Sequence, residues 1–304
     1  MVRYCVWALL VLLAGCSGGT GLSLWGEVPS PTPVVYLASP TPTPIPSPEL
    51  AVKGPVRQGA AFLALVVGRF SGPPVLSFNG REYYTIVEGE RALAYIPVPV
   101  GMSPGTYPLV AFSQGVEVAA SDVEVAPHMF PVEEVPIPGE VAALLLDTEA
   151  IEQERRLLTQ AYSLSMPFRA WGGPWHLPVA GEVSDVFGAM RSVAGGPYYP
   201  HTGVDLGAPE GTPIVASASG LVVLVRNLHL RGLSVIIDHG AGVFTGYHHL
   251  GTVAVGEGEW VEGGQVIGTV GSSGLASGPH LHWELVVHGT QVDPMAWLES
   301  PPQP

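Results

Sequence analysis

Turn-forming residues interrupt this chain so often that long helices have little room: 39 glycines and 31 prolines are spread over 304 residues. Glycine adds backbone entropy to any regular element and proline removes an amide donor, so both collect between elements. The hydrophobic fraction is nonetheless 47%. Plentiful but short apolar runs, each ended by a turn signal, describe a mainly β chain of many short strands. The length suffices for two domains with separate cores.

Residues 50–127 alternate such runs with reversals. Phe78-Asn79-Gly80-Arg81 is the strongest signal, because Asn-Gly supplies the positive φ angles of a tight hairpin turn. Glu88-Gly89-Glu90, Ser103-Pro104-Gly105 and Gln114-Gly115 mark others. The pattern predicts a small immunoglobulin-like β-sandwich. No group of potential catalytic residues falls in it, and Tyr83 and Tyr84 read as core packing rather than partner contacts. Residues 128–167 read as a connector containing one helix. Asp147 can cap it, and Ile151, Leu158 and Tyr162 recur at helical spacing. Strands and glycine turns resume at about Phe168 and define a last domain, 168–304.

The first residues read differently. Arg3 precedes an apolar run from Tyr4 to Ala14, too short to cross a hydrocarbon core that needs about 20 helical residues. A basic start, a short apolar stretch and small residues before a cut site predict a signal peptide over 1–15. Leu13-Ala14-Gly15-Cys16 resembles a bacterial lipobox, which implies cleavage before Cys16 and a lipid on its thiol. Residues 16–49 carry Pro-Ser-Pro-Thr-Pro and Pro-Thr-Pro-Thr-Pro-Ile-Pro-Ser-Pro, an extended polyproline tether. At ~3.1 Å per residue it reaches on the order of 100 Å. The expected product is an exported, membrane-anchored lipoprotein facing the cell wall or periplasm.

Cysteine usage then limits the chemistry. The chain has two cysteines, Cys5 and Cys16; cleavage removes the first and lipidation consumes the second. A metal site must therefore use His, Asp or Glu. A net charge of -14 with one lysine, Lys53, argues against nucleic acid, whose phosphates need clustered cations.

Eight of the ten histidines lie beyond residue 200. His201-Thr-Gly-Val-Asp205 offers an imidazole and a carboxylate four residues apart. His280-Leu281-His282 places two imidazoles at i and i+2, which on a strand share one face. Tyr247-His248-His249-Leu250 adds a further pair. With Phe244 to Leu250 read as one strand, His249 faces the site and His248 the opposite side. Two histidines and a carboxylate leave a fourth tetrahedral position open, the arrangement of a catalytic zinc, though the donor set also suits other divalent ions.

The last domain resembles the lysostaphin/LytM-type zinc endopeptidases over residues 168–298. The matching text is Phe187-Gly188, then His201 through Ala216 (HTGVDLGAPEGTPIVA), Asp238-His239-Gly240, Tyr247-His248-His249-Leu250, Val266-Ile267-Gly268 and Gly278-Pro-His-Leu-His-Trp-Glu284. The resemblance implies one zinc per chain on His201, Asp205 and His282, and active-site histidines at His249 and His280 that are not ligands. It further implies a compact antiparallel β fold with an open groove, and peptidoglycan peptides as substrate, cut by metal-activated water. Either His249 or His280 can serve as base. The family places a tyrosine near the oxyanion, and Tyr198 or Tyr199 is the candidate. His239 reads as structural in a hairpin turn; His128, His176, His229 and His288 read as structure or surface.

Two rival readings come from other classes. Silent relatives of this fold regulate or activate other wall hydrolases, but they have typically lost ligands, and every expected ligand position is filled here. Val261 to Gly271 (VEGGQVIGTVG) resembles the hairpins of lipoyl or biotinyl carrier domains, yet no acceptor lysine occurs after Lys53.

Overall fold

The computed structural model describes residues 47–135, 139–193, 198–299 and 302–303. The expected signal peptide, Cys16 and nearly all of the tether lie outside the described residues. Among those described, no helix is long and apolar enough to cross a membrane. The fold is mainly β throughout.

Eight strands come first: β1 (Glu49–Lys53), β2 (Ala61–Val67), β3 (Val75–Phe78), β4 (Arg81–Tyr84), β5 (Ile86–Glu88), β6 (Arg91–Pro97), β7 (Gly105–Ser113) and β8 (Val116–Val125). They form two sheets, β1-β2-β6-β5 and β4-β3-β7-β8, the partition of an immunoglobulin-like sandwich. Asn79 and Gly80 carry φ of 48° and 72°, and Gln114 and Gly115 carry 51° and 77°, so each pair makes the two-residue hairpin turn its chemistry favours. Phe62 and Phe78 meet edge to face at 5.3 Å in the core between the sheets. Tyr83 joins that core, whereas Tyr84 is 74% exposed, because the two alternate along β4. Core packing therefore holds for Tyr83 only.

Strand β2 is buried on both faces. Phe62, Ala64 and Val66 point into the sandwich; Ala61, Leu63 and Leu65 pack outward with Tyr95 against Trp171, Trp175 and Trp297. The outer face of one sandwich sheet is thus covered by the C-terminal part of the chain. Arg57 and Asp293 reinforce this seam with an ion pair at 3.0 Å.

The connector contributes β9 (Val132–Val135), a one-turn α1 (Gly139–Ala142), a 3-10 turn at Ala143–Leu146 and α2 (Thr148–Ala161). Asp147 Oδ1 accepts the Ala150 amide at 2.9 Å and caps α2. Leu158 of α2 packs on Leu224, Ile236, Phe244 and Val286.

Beyond it lie β10 (Glu182–Asp185), β11 (Met190–Val193), β12 (Tyr199–Pro200), β13 (Val204–Gly207), β14 (Pro213–Val215), β15 (Gly220–Leu228), β16 (Gly232–Gly240), β17 (Val243–His248), β18 (Leu250–Val253), β19 (Trp260–Val261), β20 (Val266–Val270), β21 (His280–Val287), β22 (Thr290–Val292) and α3 (Pro294–Glu299). The large sheet runs β10-β13-β21-β17-β16-β15-β19, with β22 also on β21. One of its faces, with Leu206, Ile237, Tyr247 and Trp283, packs on Ile214, Ile267 and Val270 of the small sheet β14-β20-β18. The opposite face carries His248 on β17 and His280, His282 and Glu284 on β21. Further along β17 and β21 that same face becomes apolar, with Phe244 and Val286 lying under α2. A third sheet, β12-β11-β9, brings the connector strand β9 into parallel pairing with β11.

Candidate metal centre

Antiparallel pairing of β13 with β21 sets Asp205 directly opposite His282. His201 enters just before β13, its amide donating to Ala189 O at 2.8 Å. Between them, Gly203 has no space for a side chain. A Cβ there would collide with the Trp283 carbonyl and come within 3.0 Å of the His282 ring. The glycine in His-Thr-Gly-Val-Asp is thus required by the close approach of the two ligand strands.

Three atoms converge. His201 Nε2 lies 3.1 Å from Asp205 Oδ1 and 2.9 Å from His282 Nδ1, and the last two are 2.7 Å apart. The other nitrogen of each ring is already used. His201 Nδ1 donates to Val186 O at 2.9 Å, and His282 Nε2 donates to Glu284 Oε1 at 3.1 Å. With both rings neutral, that turns two imidazole lone pairs and a carboxylate oxygen toward one point. A cation satisfies all three. The spacings come close to the ~3.3 Å expected between tetrahedral ligands at Zn–N and Zn–O distances of about 2.0–2.1 Å. His201, Asp205 and His282 are buried, and among the described residues they are the one His/Cys/Asp/Glu group with this geometry.

Electrostatics agree with that donor set. Arg191 donates to Asp205 Oδ2 at 2.7 Å and also pairs with Asp185, so the second oxygen of Asp205 is engaged.

The cleft beside these atoms measures about 400 Å³ and is bordered by Arg191, Tyr199, His249, His280 and the loop Ser277–Pro279. His280 Nδ1 donates to Gly278 O at 2.9 Å and His249 Nδ1 to Ser273 O at 2.7 Å, which leaves the Nε2 of each ring unbonded. The two rings lie 4.8 Å apart. Burial, followed by the neighbouring His282 and His280, lowers the pKa of His249 well below that of free imidazole. Tyr199 lines the cleft and Tyr198 does not. Residues 194–197 lie outside the described residues.

The expected register at His248 and His249 needs correction. Strand β17 ends at His248, and His249 has a left-handed φ of 62°. This kink, and not strand alternation, turns His249 toward the cleft. His248 pairs with His282 across the sheet and shares its face, the rings 5.6 Å apart. It is fully buried, bonded through Nδ1 to Ser234 Oγ at 2.9 Å, and does not line the cleft.

His239 lies inside β16, one residue before its end and not in the hairpin turn, and is buried, held by Ser219 O at 2.9 Å and Thr245 Oγ1 at 2.7 Å. His229 bonds Leu144 O, and His288 packs on Tyr83. Two site residues were given no role in reading the sequence. Glu284 sits at i+2 from His282 on a strand and so was findable by periodicity; Arg191 left no local signal.

The mainly β fold and its His-Asp-His cleft agree with what comparison with known proteins finds for the C-terminal part. Residues 199–294 match the model of peptidase family M23. Over 96 residues, 32% of this chain and 22% of the relative, it is 45% identical to the peptidoglycan DD-endopeptidase ShyA of Vibrio cholerae. Against the DD-carboxypeptidase/endopeptidase Mpg of Neisseria meningitidis serogroup B the identity is 46% over 96 residues, again 32% and 22% of the two chains. The matched region is therefore about a fifth of either relative's length. A crystal structure of a Pseudomonas aeruginosa protein assigned to peptidase M23 superposes with a TM-score of 0.57 at 27% identity, over 80% of this chain and 94% of that one. Residues 199–294 thus form a peptidase M23 domain of the LytM/lysostaphin type.

Proposed function

We propose that this chain is a zinc-dependent endopeptidase that hydrolyses peptide cross-links or stem peptides of bacterial peptidoglycan. The observation that carries the reading is the convergence of His201 Nε2, Asp205 Oδ1 and His282 Nδ1 beside two imidazoles whose Nε2 atoms make no hydrogen bond. Relatives named as peptidoglycan DD-endopeptidases support the substrate class.

His201, Asp205 and His282 are the ligands in this reading, for one ion per chain. A divalent ion so held would supply Lewis acidity toward water and a peptide carbonyl. His249 and His280 border the cleft beside these three residues. Backbone carbonyls fix both rings, so one Nε2 can take a proton from water and return it to the leaving amine. The other ring then faces the carbonyl oxygen as negative charge develops on it. Arg191 holds Asp205, and Tyr199 forms a wall against which a peptide can lie. Attachment through a lipid on Cys16 completes the proposal and places the domain at the cell wall or periplasm, a tether's length from the membrane.

Digestion of purified sacculi by the full chain, with mass analysis of the released fragments, tests the reading. Fragments carrying a newly cut peptide bond are expected from the parent and not from Asp205→Ala. Intact cross-links and stem peptides after digestion by zinc-loaded protein would overturn it.

A further inference from the structure

Three charged side chains, the two carboxylates buried and the arginine between them partly so, run from the metal centre to the connector helix. Glu284 is fully buried and its Oε1 takes four donors: His282 Nε2 at 3.1 Å, Thr202 Oγ1 at 2.8 Å, and Arg231 through Nε at 3.0 Å and Nη2 at 2.7 Å. Arg231 Nη1 continues to Glu154 Oε1 at 2.9 Å. Glu154 is 3% exposed on α2, and its other oxygen accepts the Leu230 amide at 2.6 Å. The backbone carbonyl of Arg231 accepts the amide of His249 at 2.9 Å, at the left-handed kink.

Stability alone does not explain this arrangement. Buried ion pairs are often replaced by apolar residues at no cost, because desolvation offsets their attraction. What apolar residues cannot do is orient a ring. With Nε2–H held by Glu284, the His282 ring can turn only Nδ1 toward Asp205 and His201. Second-shell carboxylates of this kind fix the tautomer and orientation of a metal-ligating histidine. Two of the four bonds to Glu284 come from Arg231, which has a third anchor on the helix.

We propose that Glu284 is a positioning residue that fixes His282 with Nδ1 toward the metal, and that Arg231 and Glu154 extend this support to α2, making the connector a working part of the metal centre. The inference rests on the ligand set proposed above.

The test is zinc affinity of the full chain by competition with a chromophoric chelator, together with the visible spectrum of the cobalt(II)-substituted protein. Glu284→Ala should weaken zinc by ~10–100-fold, the usual scale for loss of such a partner. Glu284→Gln keeps the shape and an acceptor oxygen, so it serves if the alanine variant fails to fold; it should weaken zinc by several-fold and shift the cobalt bands. Glu154→Gln should act in the same direction, and the double variant Glu154→Gln/Glu284→Gln should fall short of the product of the single effects, since both act through one chain of contacts. A folded Glu284→Gln variant with zinc affinity within twofold of the parent and unchanged cobalt bands overturns the inference, as does a purely multiplicative double variant. His282→Ala is the control. If it binds zinc as the parent does, the ligand assignment itself has failed; if it loses zinc while Glu284→Gln does not, only the positioning role has.

Discussion

Replacing His249 separates an imidazole's chemistry from the backbone geometry that presents it. The residue sits at φ 62°, where alanine is strained by roughly 1–2 kcal/mol and glycine is not. His249→Ala therefore removes the ring and keeps the strain, whereas His249→Gly removes both. The ring centroid is 6.0 Å from that of His282 and its Nε2 is unbonded, so neither change should disturb the three ligand atoms. Loss of a general acid–base group costs about 10²–10⁴ in rate, or roughly 2.7–5.4 kcal/mol of barrier. Both variants should thus turn over sacculi at about a hundredth of the parent rate or less while keeping a full complement of zinc. Product release would be followed by chromatography and bound metal by elemental analysis on the same preparations. Near-parent activity in His249→Gly but not in His249→Ala would show that the kink, not the imidazole, is what the site needs. Loss of zinc in both would make His249 a ligand.

Three further outcomes are expected. The full chain should carry about one zinc, and Asp205→Ala or His282→Ala should each abolish tight binding; full occupancy in either variant removes that residue from the ligand set. Stability should fall in acid. Burial lowers His239 and His288 to a pKa of about 4, so between ~6.5 and 4 the unfolded chain takes up protons that the folded one refuses. The stabilisation is complete above ~6.5 and lost as pH drops to 4, up to roughly 3 kcal/mol per histidine, and denaturant titrations should show a shallower slope for His239→Gln. An identical slope would mean that His239 is not held neutral. Finally, Cys16→Ser should block processing and acylation; an unmodified, water-soluble mature form from parent cells would refute the lipid anchor.

Much of the site was legible because its elements are short and regular. His280 and His282 share a face by strand alternation, and the turn at Asn79-Gly80 follows from backbone chemistry that two residues encode. Alternation also misled. Applied across Phe244–Leu250 it placed His248 away from the cluster, because nothing in Tyr-His-His-Leu announces a histidine at positive φ. Tyr84 was misplaced for the converse reason, since an aromatic on an edge strand need not face a core. Arg231 and Glu154 stand 77 residues apart in the chain. Their meeting depends on α2 lying over one end of the sheet, and local patterns carry no trace of it.

Strand β9 has a practical consequence for anyone trimming this protein. The sequence invites a cut near residue 168, where the peptidase resemblance begins. Such a fragment would leave β11 with an unpaired edge a few residues ahead of His201, and would expose the surface of Leu224, Phe244 and Val286 that Leu158 now shields. Its solubility would suffer before its catalysis was ever measured, since a bare strand edge beside an apolar patch invites aggregation. An expression boundary ahead of Val132 keeps the strand and the helix together but bares Trp171, Trp175 and Trp297, which β2 and β6 now bury, so the sandwich should stay with them.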